Sequence, residues 1–254
     1  MIKHVPIVSG LAGILAGVDR DLSRVLAKRL DATLEEIRLD TSVSGLSDDG
    51  EKITAGIQGP EGESEESFDR VLVATGRCPN SQGLGLETTA VGTDQQGFIQ
   101  TNEQLRTAEP SIFAIGDVAG PPLLAHKATH EGLVAAEAIG GGSRTFEPSA
   151  IPAVVFTDPE IAWCGVTEAG AKDEGLEVTV ARFPWQASGR AATLGRGDGL
   201  TKLVCEPDSG AVLGVGIVGA GAGELIAEGV LAVEMGAVAA DLAMTRFHWR
   251  RDLM

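Results

Sequence analysis

The stretch VLGVGIVGAGAGELIAEG, at 212–229, constrains the fold most strongly, because its glycines lie between an apolar run and a helical pattern. Gly214, Gly216 and Gly219 have the Gly-x-Gly-x-x-Gly spacing that is typical of a dinucleotide-binding turn. Such a turn also needs a second, parallel strand that carries an acidic residue about 20 positions further on. Glu234 lies near that distance, but it falls within the helical pattern of ELIAEGVLAVEMG, and no second strand is predicted after it.

The run before these glycines follows a turn that favours an antiparallel hairpin. The turn Pro207-Asp208-Ser209-Gly210 separates it from the apolar stretch TKLVCEP, and these residue types favour tight turns. Parallel strands need a long crossover, which a tight hairpin excludes. We therefore predict that the glycines let a strand and a helix pack closely and that they do not hold a nucleotide.

A plausible linker, RTFEPSAIP at 144–152, divides the chain. After it, strand-like segments and helical patterns predict an α+β domain with an antiparallel sheet. The predicted strands are AVVFTD, IAWCGVT, EVTVARFP, TKLVCEP and AVLGVGIVG, and the predicted helices lie near 167–174 and 221–235.

The part before the linker shows mixed patterns. Apolar residues on one face predict an amphipathic helix at 19–34, and the Asp48-Asp49-Gly50 turn predicts a hairpin. The acidic stretch 59–67 is predicted to be a hairpin tip or loop. Three further predictions are a buried strand at 70–77, a buried strand at 111–117, and a helix at 125–142 that glycines close.

Charge and cysteine content exclude several classes of function. The chain carries a formal net charge of −16, so we predict no binding to nucleic acid or anionic membranes, which attract basic surfaces. No run approaches the roughly 20 apolar residues of a membrane span. The N-terminus lacks a signal-peptide pattern, so a cytoplasmic location is expected. Cys78, Cys164 and Cys205 are far apart and the four histidines lack ligand spacing, so neither a redox pair nor a metal site is predicted.

Several motifs, taken in order, resemble one enzyme family. TAEPSIFAIGDVAG, at 107–120, resembles the second FAD motif of the pyridine nucleotide–disulfide oxidoreductases. LVATGRCPN, at 72–80, resembles the Ala-Thr-Gly segment that closes the NAD domain of that family. Four further segments resemble the dihydrolipoyl dehydrogenase branch of that family. They are LLAHKATHEG, PAVVFTDPEIAWCGVTEAGAK, FPWQASGRA and GAGAGELIAEGVLAVEMGA. The resemblance covers about residues 5–245.

The resemblance implies two cofactors, FAD and NAD, and a set of binding residues. Asp117 would hold the ribityl chain of FAD, because a carboxylate at the end of a strand can accept hydrogen bonds from sugar-alcohol hydroxyls. The flavin would be lined, partly through backbone amides, by Leu123, Leu124, Ala125 and His126. Gly76 and Val43 fall where the family contacts NAD.

The sequence also departs from the family pattern. The family begins with an FAD-binding Rossmann unit and a Cys-x4-Cys pair, which we expect to be missing here, and its NAD fingerprint would precede residue 1. Ser9 stands where an acidic residue normally holds the adenosine ribose. The tail RFHWRRDLM places Trp249 at the position of the acid–base histidine and His248 one residue before it. No catalytic residue is therefore assigned to this chain.

The expected fold class is α/β and α+β, with a partial NAD(P)/FAD-binding Rossmann-like region followed by an α+β interface domain. The expected domains are a partial NAD-binding domain at 1–76, a central FAD-covering region at 77–147 and a dimerisation domain at 148–254. The function that the resemblance implies is oxidation of dihydrolipoamide with FAD and NAD, in a homodimer, with this C-terminal portion inactive alone.

Three alternatives stay open. In the first, the chain is a non-catalytic dimerisation module left from a split or degraded gene. In the second, another chain supplies the missing half. In the third, the chain resembles another family member such as glutathione or mercuric reductase.

Overall fold

The computed structural model describes residues 5–245, which form two compact units. The first unit combines the residues up to Leu72 with those from Ser149 onward, and the second unit spans Val73–Pro148. Within the described residues, no helix has both the length and the apolar character needed to cross a membrane.

A five-stranded antiparallel sheet, in the order β6-β7-β10-β9-β8, forms the centre of the first unit. Its strands are β6 (Ala153–Val155), β7 (Glu160–Gly165), β8 (Thr179–Pro184), β9 (Leu200–Cys205) and β10 (Val212–Gly219). Four helices accompany them: α3 (Glu168–Glu174), α4 (Gly189–Leu194), α5 (Ala222–Glu234) and α6 (Ala239–Met244). These elements confirm the strands and helices that the sequence predicts after residue 152.

The glycines of β10 serve packing, as the sequence predicts. β10 pairs antiparallel with both β7 and β9, whereas a dinucleotide-binding fold needs parallel neighbours. A Cβ atom at Gly214 would lie 2.0 Å from the Val166 carbonyl oxygen. Gly229, in helix α5, lets that helix lie close to the same strand, since a Cβ atom at Gly229 would be only 2.9 Å from the Val215 Cβ.

The N-terminal part of the first unit contains a βαβ unit, the partial Rossmann-like region that the sequence predicts. Strands β1 (Pro6–Val8) and β2 (Glu36–Arg38) pair in parallel, and helix α1 (Arg20–Asp31) lies between them in the chain. Helix α1 confirms the predicted amphipathic helix. Its Leu22 and Leu26 are buried in one apolar cluster with Ile161 and Val218 of the five-stranded sheet.

A three-stranded antiparallel sheet consists of β3 (Ser42–Asp48), β4 (Ile53–Gly59) and β5 (Gly62–Phe68). The predicted hairpin at Asp48-Asp49-Gly50 is confirmed by the pairing of β3 with β4. The stretch 59–67, predicted to be a hairpin tip or loop, contains the tip at residues 60–61. The prediction is wrong for the residues after it, because β5 pairs with β4 along its whole length. The glutamates of β5 are tolerated in a strand because β5 is an edge strand with mostly exposed side chains.

The second unit contains one long helix, α2 (Ala125–Ile139), which confirms the helix that the sequence predicts there. The buried strands predicted at 70–77 and 111–117 are wrong. Leu72 is 92% exposed, and 111–117 makes a single bridge, between Phe113 and Arg106. An apolar run becomes a strand only when a neighbouring strand pairs with its backbone, and within 5–245 no strand pairs along either run.

Candidate functional site

A tight turn at Gly116–Ala119, in the second unit, presents the Asp117 carboxylate. The turn is one 3-10 helix, and the φ values of Gly116 and of Gly120 just after it are +76° and +120°. Glycine is favoured at such angles because it has no Cβ atom to clash with the backbone. The approach to the turn is fixed by Thr107, whose hydroxyl donates to the carbonyls of Glu109 (3.1 Å) and Ile112 (2.9 Å).

Asp117 points to a surface where a ligand can reach it. Its side chain is 44% exposed, and its Oδ2 accepts a hydrogen bond from Arg77 at 2.9 Å. Arg77 is itself 71% exposed, and exposed ion pairs contribute little stability because water competes for both partners. A ligand can therefore displace Arg77 from the carboxylate, which can then accept hydrogen bonds from the hydroxyl groups of that ligand.

The N-terminus of α2 lies in the same unit, next along the chain. Leu124 is its N-cap residue, and Leu123 and Leu124 are half-buried while Ala125 and His126 are exposed. The first N–H groups of a helix have no partner within the helix, so its N-terminus offers hydrogen-bond donors and a partial positive charge.

The two predicted NAD-contact residues fall in different units. Gly76, with φ of +111°, belongs to the second unit and precedes Arg77. Val43 belongs to the first unit, where it is 47% exposed in β3. The structure thus brings Gly76, Asp117 and the four residues 123–126 into one unit and leaves Val43 in the other.

Sequence reasoning missed two buried charged residues beneath the turn, Lys127 and Glu131. Their side chains are 5% and 4% exposed, and Lys127 Nζ lies 2.8 Å from Glu131 Oε1. The available signal was two opposite charges four residues apart on a helix whose other buried residues are Val134, Ala135 and Ala138.

A second charged group, in the first unit, was also missed. We call it the Lys202 cluster, and its members are Asp19, Asp21, Glu168, Arg182 and Lys202. Lys202 Nζ, with its side chain 1% exposed, lies 2.8 Å from Asp19, 2.7 Å from Asp21 and 2.9 Å from Glu168. Arg182 pairs with Asp21 at 2.7 Å and with Glu168. The cluster joins α1 to α3 and to the five-stranded sheet.

The thiols of the chain are separate. Cys78 is exposed, whereas Cys164 and Cys205 are buried. Burial raises the pKa of Cys164 to about 11 and also raises the pKa of Cys205. Both buried thiols are therefore protonated at neutral pH and poorly nucleophilic. The described residues contain no group of histidine, cysteine and acidic side chains that could hold a metal ion. His248 and Trp249 lie outside the described residues.

Two family models match this chain. The model described as pyridine nucleotide-disulphide oxidoreductase matches residues 1–132, and that described as the dimerisation domain of the same enzymes matches residues 151–248. The first of these matches covers more than half of the chain. The chain belongs to the pyridine nucleotide-disulphide oxidoreductase family.

Curated relatives agree with this assignment. Dihydrolipoyl dehydrogenase of Vibrio parahaemolyticus is 42% identical over 244 residues, which are 96% of this chain and 51% of that protein. Dihydrolipoyl dehydrogenase of Thermus scotoductus is 44% identical over 245 residues, which are 96% of this chain and 53% of that protein. The chain thus spans about half the length of the curated relatives that it matches.

The fold is found in solved structures. The crystal structure of LpdA from Mycobacterium tuberculosis superposes with a TM-score of 0.87 at 24% identity, over 97% of this chain and 53% of that one. The Escherichia coli flavoprotein disulfide reductase RclA gives a TM-score of 0.84 at 23% identity, over 98% of this chain and 57% of that one. Likeness at this level of identity establishes the fold alone.

Proposed function

We propose that this chain carries the flavin-covering and dimerisation portions of a dihydrolipoyl dehydrogenase that uses FAD and NAD. The observation that carries the proposal is the exposed Asp117 carboxylate on its glycine-flanked turn, in the same unit as the N-terminus of α2. The identity of about 42% with dihydrolipoyl dehydrogenase over 96% of the chain supports the choice of substrate.

The residues of the turn fit the polar part of a flavin cofactor. A carboxylate that is 44% exposed can accept hydrogen bonds from the hydroxyls of a ribityl chain. Leu123 and Leu124 are half-buried, so they offer apolar surface to a ring system, while the amides at the start of α2 offer donors to its carbonyl groups. FAD, when bound, would carry electrons between the thiols of dihydrolipoamide and NAD.

The other predicted contacts complete the proposal. Gly76 and Val43 would contact NAD, Gly76 because the lack of a side chain lets a ligand approach its backbone and Val43 because it is exposed in β3. Asp117 would orient the cofactor, and we assign no catalytic residue to this chain. Electron transfer from a dithiol needs a cysteine pair, but Cys78, Cys164 and Cys205 are all free, and strand β10 lies between the strands that carry Cys164 and Cys205.

We also propose a homodimer, formed through the part that matches the dimerisation model. Large apolar side chains in this part are exposed: Phe156 (83%), Leu231 (63%), Met235 (74%) and Met244 (85%). These side chains support the proposal, because an interface between two protomers would remove their apolar surface from water. We also propose a cytoplasmic location, which the three free cysteines support because thiols stay reduced there.

The test is an FAD titration of the chain co-expressed with the N-terminal half of the Vibrio parahaemolyticus relative. Asp117→Asn removes the charge but keeps the shape, and Glu87→Gln, at an exposed position of the same unit, is the matched control. A hydrogen bond to a charged group contributes about 1.5–3 kcal/mol, so Asp117→Asn is expected to weaken FAD binding about 10- to 100-fold. Equal affinity of the two variants would refute the role of Asp117.

The alternatives predict different results when sedimentation, flavin binding and substrate oxidation are measured on the same assembly. A non-catalytic dimerisation module would form dimers in sedimentation but would bind no flavin, even with the N-terminal half. A glutathione or mercuric reductase would bind flavin but would leave dihydrolipoamide unoxidised even after residues 246–254 are replaced by the tail of the relative.

A further inference from the structure

Helix α2 buries two charged side chains, Lys127 and Glu131, one turn apart on the face that lies behind the Asp117 turn. The side chain of Lys127 is 5% exposed and that of Glu131 is 4% exposed. Removing two charges from water is costly, and apolar residues of similar size often stabilise a core at least as well. The pair therefore needs an explanation other than stability.

Both side chains hold the backbone of the Asp117 turn. Glu131 Oε2 accepts a hydrogen bond from the Gly116 N–H at 2.6 Å. Lys127 Nζ donates to the Gly120 carbonyl at 2.9 Å and, more weakly, to the Gly116 carbonyl at 3.4 Å. The pair thus contacts the two residues that flank Asp117-Val118-Ala119. The two side chains also contact each other, with Lys127 Nζ 2.8 Å from Glu131 Oε1.

Packing fixes the distance between helix and turn. A Cβ atom at Gly116 would lie 3.1 Å from the Ala128 Cβ, so the turn lies directly against α2. Because Gly116 has a φ of +76°, the backbone here turns sharply, and its amide is directed to Glu131. The direction of the Asp117 carboxylate therefore depends on side chains that do not themselves reach the surface.

We propose that Lys127 and Glu131 are positioning residues that preset the Asp117 turn for the sugar-alcohol chain of the flavin cofactor, a role that rests on the proposed function. A preset turn binds more tightly because it loses less conformational freedom when the ligand binds. Neither residue touches the ligand, and both act through the backbone of Gly116 and Gly120.

The deciding variant is the double substitution Lys127→Met with Glu131→Leu, which replaces the pair by apolar side chains. Such a replacement preserves stability in many proteins, but here it also removes the hydrogen bonds of the pair to Gly116 and Gly120. Glu131→Gln is the milder second variant, because its amide oxygen can still accept from Gly116. Glu137→Gln, at an exposed position of the same helix, is the control.

The first readout is hydrogen exchange at the Gly116 amide in the 254-residue chain without flavin. The double variant is expected to exchange at least about 10-fold faster than the wild type and Glu137→Gln, because the amide loses its acceptor. Unchanged exchange would overturn the anchoring of the turn, whether or not flavin binds.

The second readout is FAD affinity with the N-terminal half of the relative present. We expect the double variant to bind FAD about 10-fold or more weakly, and we expect Glu131→Gln to fall between it and the wild type. Faster exchange with unchanged affinity would overturn the positioning role. A wild-type assembly that binds no FAD would overturn the proposed function and this role together, while the exchange result would still stand for the anchor.

Discussion

Replacing Lys202 by methionine tests the Lys202 cluster, which ties α1 to the five-stranded sheet. Methionine keeps the apolar stem of the side chain but removes the ammonium that neutralises three carboxylates, those of Asp19, Asp21 and Glu168. Breaking a buried ion pair by removing one partner costs about 3–5 kcal/mol, because a charge stays buried without compensation.

The partners that remain place Lys202→Met at the lower end of that range. Asp19, 8% exposed, keeps two hydrogen bonds from the backbone amides of Glu168 and Ala169, each at 3.0 Å. Asp21 and Glu168 keep Arg182. We therefore expect the free energy of unfolding to fall by about 3 kcal/mol at pH 7.

The assay is urea denaturation followed by circular dichroism, with Lys28→Met as the matched control. Lys28 is exposed near the end of α1, so its replacement is expected to cost less than about 1 kcal/mol. A loss for Lys202→Met within about 0.5 kcal/mol of the control would refute the reasoning, because it would mean that the carboxylates are solvated without the lysine.

The pH dependence gives an independent check on the same cluster. Burial opposes ionisation of Asp21, but hydrogen bonds from Lys202 and Arg182 outweigh it and hold its pKa below the usual 3.8. Burial likewise opposes charge on Lys202, but hydrogen bonds to Asp19, Asp21 and Glu168 raise its pKa above the usual 10.5. The Asp21 contribution is complete above pH 3.8 and is lost as the pH falls through its lower folded pKa. The Lys202 contribution is complete below pH 10.5 and is lost as the pH rises through its higher folded pKa. The difference between wild type and Lys202→Met is therefore expected to shrink at both extremes.

Three further predictions concern packing, thiols and association. Gly214→Ala is expected to cost about 3 kcal/mol or more in urea denaturation, because its Cβ would lie 2.0 Å from the Val166 carbonyl oxygen, whereas Gly189→Ala, with nothing within 4 Å, is the control. A thiol reagent is expected to label Cys78 rapidly at pH 7 and to reach Cys164 and Cys205 only after unfolding. Rapid labelling of all three would contradict the buried positions. Sedimentation is expected to show a dimer at micromolar concentration that Leu231→Glu weakens, and a clean wild-type monomer would contradict the proposed interface.

Sequence patterns correctly predicted the elements whose structure depends mainly on neighbouring residues in the chain. The hairpin between β9 and β10 follows from the turn at 207–210, and α1 follows from its apolar face. The predicted hairpin also excluded a nucleotide-binding turn at Gly214, Gly216 and Gly219, and the antiparallel pairing of β10 with β7 and β9 confirms that prediction.

Long-range contacts were beyond the sequence. The apolar composition of 70–77 and 111–117 predicts buried strands, but a strand forms only where the backbone of another strand pairs with it. The same limit hid the buried charges, since Lys202 meets Asp19 across 183 residues. The Lys127–Glu131 pair is local, yet only the fold shows that it faces the Asp117 turn and not solvent.

The most direct test of the proposed function is NADH formation from dihydrolipoamide. We predict no turnover by the 254-residue polypeptide alone, and flavin binding with little turnover when the N-terminal half of a relative is added. Full turnover is expected only when residues 246–254 are also replaced by the C-terminal tail of that relative, which by the family resemblance would supply the acid–base histidine that Trp249 replaces. Appreciable NADH formation by the unmodified polypeptide alone would contradict the account.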